Sequence, residues 1–194
     1  MTNQIILASN NKYKQAEFKQ LLNPLNFQIL NQDKLGIKEV NEDRYTFIEN
    51  AILKARNASN HINLPAIADD SGICVPSLSG KPGVLSARYA GEEKSDKANN
   101  LKLIKNLIGY KDKSAFFYCV IVYLQHKFDP SPIISDAIWE GEIISDALGS
   151  NGFGYDPHFW IPSLKKTAAQ LELVEKNEIS HRGKAFKLLL QKLL

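Results

Sequence analysis

Several features that mark large protein classes are scarce or missing in this 194-residue sequence. Its two cysteines, Cys74 and Cys119, lie far apart in apolar stretches, so neither a disulfide scaffold nor a paired metal or redox motif is expected. The formal net charge of +3 is too small to predict a nucleic-acid-binding surface. There is no apolar segment of membrane-spanning length, and the start lacks the basic stretch of a signal peptide. We therefore expect a cytoplasmic protein with one domain over residues 1–194, no membrane partner and no stable nucleic-acid partner.

The sequence does contain an alternation of apolar strands and amphipathic helices. The predicted strands are residues 4–8, 27–30, 66–69, 114–125 and 133–144. The predicted helices are residues 12–22, 46–61, 94–108 and two pieces within 172–194, of which the last begins near Arg182. Thr46 and Glu49 have the spacing of a capping box, which predicts the start of the second helix. This order of elements predicts an α/β fold with a mixed sheet.

One predicted strand ends in two adjacent carboxylates, Asp69 and Asp70, followed by Ser71 and Gly72 as a turn. Adjacent acids repel each other, so they gain little from being neighbours unless a cation or a group of donors lies between them. Three interpretations are open: a strand-to-turn junction, a divalent-metal site that positions phosphate, and an acid pair of glycosidase type. Because consecutive strand residues point to opposite faces, we expect only one of the two acids to face a site directly.

The residues between the first strand and the first helix are rich in hydrogen-bond donors. They are Ser9, Asn10, Asn11, Lys12, Tyr13 and Lys14. A helix N-terminus binds phosphate through its free N–H groups and its dipole, and a nearby lysine adds positive charge. The spacing is not that of a P-loop, and plain N-capping by serine or asparagine explains the same residues. Both interpretations are open for this segment.

A glycine-rich segment, residues 152–157, interleaves the aromatics Phe153 and Tyr155 with glycines. Glycine lets the backbone approach a ligand, and either aromatic could stack on a planar base. A hairpin turn with one buried aromatic is the other explanation. The segment is therefore a candidate platform for a base.

Three basic residues near the C-terminus are further candidate donors. Lys176 precedes the last helix, and His181 with Arg182 opens it. Each can donate to a phosphate or to a purine carbonyl, although a His-Arg pair at a helix start is more often on the surface. A phosphate-binding helix start, a dicarboxylate, a stacking loop and base-edge donors are together what a nucleoside triphosphate requires.

Taken in order, these segments resemble the Ham1/RdgB family of noncanonical purine nucleoside triphosphate pyrophosphatases, also called the inosine triphosphatase family. The likeness covers nearly the whole chain and runs through six blocks of residues. They are Ser9-x-Asn11-x-x-Lys14-x-x-Glu17, Thr46-Phe47-x-Glu49-Asn50-Ala51, Ala68-Asp69-Asp70-Ser71-Gly72, Gly80-x-Pro82-Gly83 with Ser86-Ala87-Arg88-Tyr89, Gly152-Phe153-Gly154-Tyr155-Asp156-Pro157, and Ser180-His181-Arg182. Six such blocks in the same order are far more specific than any one of them.

The resemblance implies a mixed, elongated central sheet whose flanking helices form two lobes around a nucleotide cleft. It also implies a homodimer that uses Mg²⁺ to hydrolyse the small molecules ITP, dITP and XTP to the monophosphate and pyrophosphate, which cleanses the nucleotide pool. On the matching residues, Asp70 would be the general base, and Asp70 with Glu42 would hold the metal. The substrate would be bound by Ser9, Asn10, Asn11, Lys12, Tyr13, Lys14, Ser71, Phe153, Gly154, Tyr155, Asp156, Lys176, His181 and Arg182. The alternative is a non-catalytic purine-nucleotide-binding or sensor protein, which would not need the carboxylates.

The acidic loop departs from the pattern of many relatives, which place two consecutive glutamates before a Thr-Gly pair. Here the residues are Asn41-Glu42-Asp43-Arg44, and Glu42 is the predicted ligand. If the ligand position falls on Asn41 instead, the metal site has one negative charge fewer.

Overall fold

The computed structural model describes residues 4–193, which form seven strands and five α-helices. The strands are Gln4–Leu7 (β1), Gln28–Asn31 (β2), Ala66–Cys74 (β3), Ser114–Leu124 (β4), Ile133–Ile143 (β5), Phe159–Ile161 (β6) and Lys166–Thr167 (β7). The helices are Lys12–Leu22 (α1), Phe47–Ile62 (α2), Asp96–Asn106 (α3), Leu173–Ile179 (α4) and His181–Leu193 (α5). No helix in this described part is long and apolar enough to cross a membrane. Residues 1–3 and 194 of the predicted domain lie outside the described residues.

The seven strands hydrogen-bond into one sheet in the order β2-β1-β3-β4-β5-β6-β7. β1 is parallel to β2 and β3, whereas β6 is antiparallel to β5 and β7. The parallel neighbours come from the first part of the chain, where α1 and α2 provide the crossover connections that parallel pairing requires. The sheet is therefore mixed, which confirms the predicted α/β class.

The described residues cluster into two compact units. The first unit takes its residues from Met1–Asp70, Cys119–Ala137 and Arg182–Leu194, and the second from Ser71–Tyr118 and Ile138–His181. The core of the first unit includes Ile5, Leu7, Phe18, Ile67, Ile121 and Phe186. The core of the second unit includes Ile73, Leu103, Phe117, Trp139, Tyr155 and Phe159. The assignment of residues 1–194 to a single domain stays a prediction, as does the cleft between two lobes.

Helix α2 begins as the sequence predicts. The Thr46 hydroxyl accepts a hydrogen bond from the Glu49 N–H, and the Glu49 carboxylate accepts one from the Thr46 N–H. The buried face of the helix is lined by small residues at helical spacing, namely Ala51, Ala55 and Ala58. Two polar residues, Asn50 and Lys54, interrupt this apolar pattern, and both contact Asp70 of β3.

Strand β3 is longer than predicted. It does not end at the first carboxylate but continues to Cys74, so the predicted turn at Ser71 and Gly72 is wrong. The residues that follow the acids explain the difference, because Ile73 is fully buried and belongs to the sheet. Gly72 allows close packing rather than a turn, since a side chain there would collide with Ser86. Both acids therefore lie inside a regular strand.

Candidate active site

The first acid of β3, Asp69, lies in a buried group of four charges. Its Oδ2 accepts hydrogen bonds from Arg182, from Nε at 3.2 Å and from Nη2 at 2.9 Å. The Lys14 Nζ lies 3.0 Å from the same oxygen. Arg182 Nη1 pairs in addition with Glu17. We call these four residues the Asp69 cluster, and its two cations balance its two carboxylates.

Three elements of the first unit supply the Asp69 cluster. Helix α1 carries Lys14 and Glu17, whose three-residue spacing puts them on the same side of the helix. Arg182 lies in the first turn of α5 and is 1% exposed, so the surface alternative is wrong for this residue. Glu17 is absent from the predicted site, although it lies in the first block of resemblance. Glu17 could have been found from the sequence, because it is an acid next to Phe18 on the apolar side of a predicted helix.

The charges of the Asp69 cluster stabilise one another. Burial alone would raise the pKa of Asp69, but Lys14 and Arg182 hold this pKa well below its ordinary value. Burial also opposes the charge of Arg182, yet Glu17 and Asp69 raise the pKa of Arg182 well above its usual range. Asp69 and Arg182 are therefore both ionised, and removing either of them would leave the other as a buried charge that has lost its counterion.

The second acid, Asp70, has different partners, as the alternation of a strand requires. Asn50 Nδ2 donates to Asp70 Oδ2 at 3.1 Å. The Lys54 Nζ lies 3.5 Å from Asp70 Oδ1 and 3.3 Å from Glu42 Oε2. We call Glu42, Asn50, Lys54 and Asp70 the Asp70 cluster. With both acids ionised it holds two negative charges and one positive charge.

Burial and the negative charge of Glu42 both contribute to a raised pKa at Asp70. Burial raises the pKa of Asp70 above its ordinary value, and the neighbouring Glu42 adds to the rise while Lys54 opposes it. Burial acts on Glu42 in the same direction, but Lys54 and Lys14 outweigh it and lower the pKa of Glu42. Burial opposes the charge of Lys54 too, but Asp70 and Glu42 raise its pKa. Of the two acids, Asp70 therefore binds a proton more readily.

The Asp70 cluster contains residues that the predicted site lacks. Asn50 and Lys54 are such residues, and their signal is a pair of polar side chains one turn apart within the alanine face of α2. Asn41 is exposed, whereas Glu42 is the acidic-loop residue that reaches Asp70 and Lys54. The structure thus brings together the two predicted metal ligands.

The segment between β1 and α1 caps the helix. Asn11 Oδ1 accepts hydrogen bonds from the N–H groups of Tyr13 and Lys14, at 2.9 Å and 3.2 Å. Capping therefore uses two of the N–H groups that a phosphate would otherwise bind. Ser9 is buried, and the side chains of Asn10, Lys12 and Tyr13 are exposed. The cation that this segment brings to the acids of β3 is Lys14.

The glycine-aromatic loop, residues 152–156, belongs to the second unit and is held by its own aspartate. Asp156 Oδ2 accepts hydrogen bonds from the Phe153 N–H at 2.9 Å and from Lys176 Nζ at 2.7 Å. The same Lys176 Nζ lies 5.0 Å from the centroid of the Phe153 ring, which is a cation–π distance. Gly152 has a φ of +74°, and a side chain there would collide with Asp156. Three predicted site residues, Phe153, Asp156 and Lys176, therefore meet in this loop.

The two aromatics of the loop differ in burial. Tyr155 is buried, and its hydroxyl donates to the Ser86 carbonyl at 2.8 Å. Phe153 is only half-buried, so part of its ring can contact a ligand. Tyr155 is therefore the structural member of the pair, and Phe153 is the better candidate for stacking on a base.

His181 packs among aromatic rings of the second unit. Its ring lies 4.8 Å from that of Phe117 at an interplanar angle of 9°, and 6.2 Å from that of Trp139 at 17°. His181 is 4% exposed, so the surface alternative is wrong for this residue as well. Stacking sets the plane of the imidazole and with it the directions in which its nitrogens can form hydrogen bonds.

Comparison with known proteins establishes the family. The model of the Ham1 family matches residues 5–192 of this chain. The chain belongs to the Ham1 family. The predicted family membership is thereby confirmed.

Similar Ham1-family proteins include enzymes and solved structures. The chain is 56% identical over 191 residues to the dITP/XTP pyrophosphatase of Nitrosomonas europaea. The alignment covers 98% of this chain and 94% of that relative. The chain is 53% identical over 192 residues to the dITP/XTP pyrophosphatase of Ralstonia nicotianae, and this alignment covers 97% of this chain and 96% of that relative. A HAM1 protein from Coxiella burnetii superposes with a TM-score of 0.91 at 44% identity, covering 98% of each chain. The fold described above is therefore that of a solved Ham1 protein.

Proposed function

We propose that this protein hydrolyses the noncanonical purine nucleoside triphosphates dITP, ITP and XTP to the monophosphate and pyrophosphate, which keeps such nucleotides from being misincorporated. Two relatives that are more than half identical to it are named dITP/XTP pyrophosphatases. The observation that carries the proposal is the Asp70 cluster, in which two carboxylates share one lysine. A protein that only binds nucleotides would not need such a group, because carboxylates repel phosphates unless a cation accompanies them.

The Asp70 cluster fits a magnesium ion. Residues 4–193 contain no group of three or more His, Cys, Asp or Glu side chains that could hold a metal ion by themselves. Magnesium in nucleotide enzymes needs only one or two carboxylates, since phosphates and water supply its other ligands. Glu42 and Asp70 are such a pair, and the Lys54 ammonium shared by them indicates that a cation is favoured there. When bound by Glu42 and Asp70, Mg²⁺ would neutralise and orient the phosphates.

Asp70 is the proposed general base. It accepts the proton of a water that attacks the α-phosphorus, and pyrophosphate leaves with the electrons of the broken phosphoanhydride bond. Asn50 and Lys54 hold the Asp70 carboxylate in place for this task. Ser71 and the segment 9–14 bind the triphosphate in this proposal, with Lys14 as the cation nearest the acids.

The glycine-aromatic loop is the proposed platform for the base. Phe153 stacks on the purine, and Gly154, Tyr155 and Asp156 frame it. Lys176 and His181 are proposed as donors to the 6-keto oxygen, which would disfavour adenine because its 6-amino group is itself a donor. Contact of Arg182 with the substrate also stays a proposal. Its described hydrogen bonds give it a further task, which is to hold Asp69.

The proposal also covers the setting in which the enzyme works. We propose a cytoplasmic homodimer that acts on a small-molecule nucleotide and has neither a membrane partner nor a stable nucleic-acid partner. Light scattering on the purified protein tests the dimer, because the mass expected for it is twice that of the 21.8 kDa chain.

Pyrophosphate release by the purified wild-type protein tests the activity. With Mg²⁺ present, kcat/KM for dITP, XTP and ITP is expected to exceed that for GTP and ATP by at least about tenfold. Nucleotide binding without pyrophosphate release from any of the five would instead favour the sensor alternative.

Removal of divalent metal is expected to lower pyrophosphate release from dITP by about 100-fold or more, because the phosphates would then face two carboxylates without a neutralising ion. The measurement compares protein treated with EDTA and the same protein after Mg²⁺ is restored in excess. Melting temperature serves as the control for folding and is expected to stay within a few degrees. Full activity in EDTA would remove the metal from the proposal.

A further inference from the structure

Both backbone polar groups of Gly154 are hydrogen-bonded to side chains of one helix. The Gly154 N–H donates to Asp96 Oδ2 at 2.8 Å, and the Gly154 carbonyl accepts from Asn100 Nδ2 at 2.8 Å. Asp96 and Asn100 are four residues apart in α3, so they lie one turn apart on the same side. Helix α3 therefore holds the middle residue of the glycine-aromatic loop from both sides of its peptide backbone.

The orientation of the Asn100 side chain follows from its partners. Its Nδ2 donates to the Asp96 carbonyl at 2.9 Å as well as to Gly154, so both of its N–H bonds are used. Because both partners are carbonyl oxygens, only the nitrogen of the amide can face them. Asn100 is 7% exposed, and its Oδ1 is buried without a hydrogen-bond partner in the described part of the chain. A buried oxygen without a partner is destabilising. The favourable contribution of Asn100 therefore comes from the two hydrogen bonds that its Nδ2 donates.

The other anchors of the loop act on the residues beside Gly154. The Phe153 N–H is bonded to Asp156 inside the loop, and the Tyr155 hydroxyl is bonded to the Ser86 carbonyl. Neither of these bonds holds the peptide groups of Gly154. The Phe153 carbonyl accepts from the Asp156 N–H at 3.2 Å. The N–H and the carbonyl of Gly154 itself are held by the two side chains of α3.

We propose that Asp96 and Asn100 are positioning residues for base recognition: by holding Gly154 they set the position of the Phe153 ring on which the purine stacks. This inference rests on the proposed function, since it takes the glycine-aromatic loop as the site of the base. It assigns to α3 a role in KM and in the choice of base, and none in the chemical step.

Substitution of the exposed Asp96 tests the proposal without disturbing a core. In Asp96→Ala, KM for dITP rises roughly fivefold to tenfold, as expected for one lost hydrogen bond, while kcat stays within about twofold. Hydrolysis of ribose 5-triphosphate, which has no base to stack, is unchanged relative to wild type. Asp96→Asn keeps an acceptor oxygen and restores KM. Asn100→Ala, which removes both donors, raises KM for dITP at least as much.

The matched control is Ser95→Ala, one residue away. The Ser95 hydroxyl caps α3 by accepting the Ala98 N–H at 3.3 Å and has no hydrogen bond to Gly154. This variant weakens the start of the helix and leaves KM for dITP at the wild-type value. If Ser95→Ala and Asp96→Ala raise KM equally, or if ribose 5-triphosphate is affected as much as dITP, the role of Asp96 is merely structural and the proposal is overturned.

Two measurements without turnover separate this inference from the proposed function. Hydrogen exchange at the Gly154 amide is roughly tenfold faster in Asp96→Ala than in Ser95→Ala. The Kd for inosine monophosphate rises by the same factor as KM. If wild type releases no pyrophosphate, the proposed function fails, and the Kd comparison still decides the inference. Equal Kd values in the two variants, or no binding to wild type, overturn it.

Discussion

Replacing Asp70 by asparagine is expected to lower kcat for pyrophosphate release from dITP by about 10³-fold while the protein stays folded. The amide has the shape of the carboxylate but cannot accept the proton of the attacking water. Folding is retained because burial already disfavours the charged form of Asp70, so a neutral side chain is tolerated there. In the wild-type protein the Asn50 Nδ2 donates to Asp70 at 3.1 Å, and in the variant it can donate equally well to the amide oxygen.

Single-turnover kinetics and thermal unfolding together check this result. Asp70→Asn should show the loss of rate in the chemical step, with a melting temperature within a few degrees of wild type. Near-wild-type pyrophosphate release by Asp70→Asn would mean that another group takes the proton. Glu42→Gln, the matched change at the other carboxylate, should mainly weaken the response to Mg²⁺.

Replacing the neighbouring Asp69 by asparagine is expected to have the opposite pattern, with a loss of about 3–5 kcal/mol in the free energy of unfolding. The variant leaves Arg182, which is 1% exposed, with Glu17 as its remaining carboxylate in the Asp69 cluster. It also removes the carboxylate that lies 3.0 Å from Lys14. Urea unfolding of Asp69→Asn and Asp70→Asn side by side measures the contrast between two adjacent, chemically identical changes.

A double substitution provides the control for the Asp69 cluster. Asp69→Asn combined with Arg182→Met removes one negative and one positive charge, so the remaining charges of the cluster still balance, and it should be less destabilising than the sum of the two single changes. Additive losses would mean that the two residues do not stabilise each other. Equal stabilities of Asp69→Asn and Asp70→Asn would remove the distinction between a structural and a catalytic acid.

Features set by residues close in sequence agree with the prediction from sequence. The capping box of Thr46 and Glu49, the helix from Lys12 to Leu22 and the start of α5 at His181 depend on neighbouring residues and on helical spacing. The end of β3 is different. The Asp-Asp-Ser-Gly run predicts a turn from local composition, yet burial of the apolar residues that follow keeps the strand extended.

In the candidate site, too, some features could be predicted from the sequence and others could not. The acids of β3, the glycine-aromatic loop and the His-Arg pair are recognisable as residue types and in their order along the chain, which is also why the family could be inferred. Their partners are not, because Glu17 and Arg182 are 165 residues apart and Asp96 and Gly154 are 58 apart. Such pairs form only when the chain folds and brings distant side chains within hydrogen-bonding distance.

Sequence alone was therefore enough to predict the α/β class, the main helices and the set of residues from which a nucleotide site is built. Folding assigned the individual roles. Two adjacent aspartates of equal chemistry became different groups, because strand alternation directs one to Arg182 and Lys14 and the other to Lys54 and Asn50. Burial and neighbouring charge then moved their pKa values in opposite directions, which no local pattern in the sequence encodes.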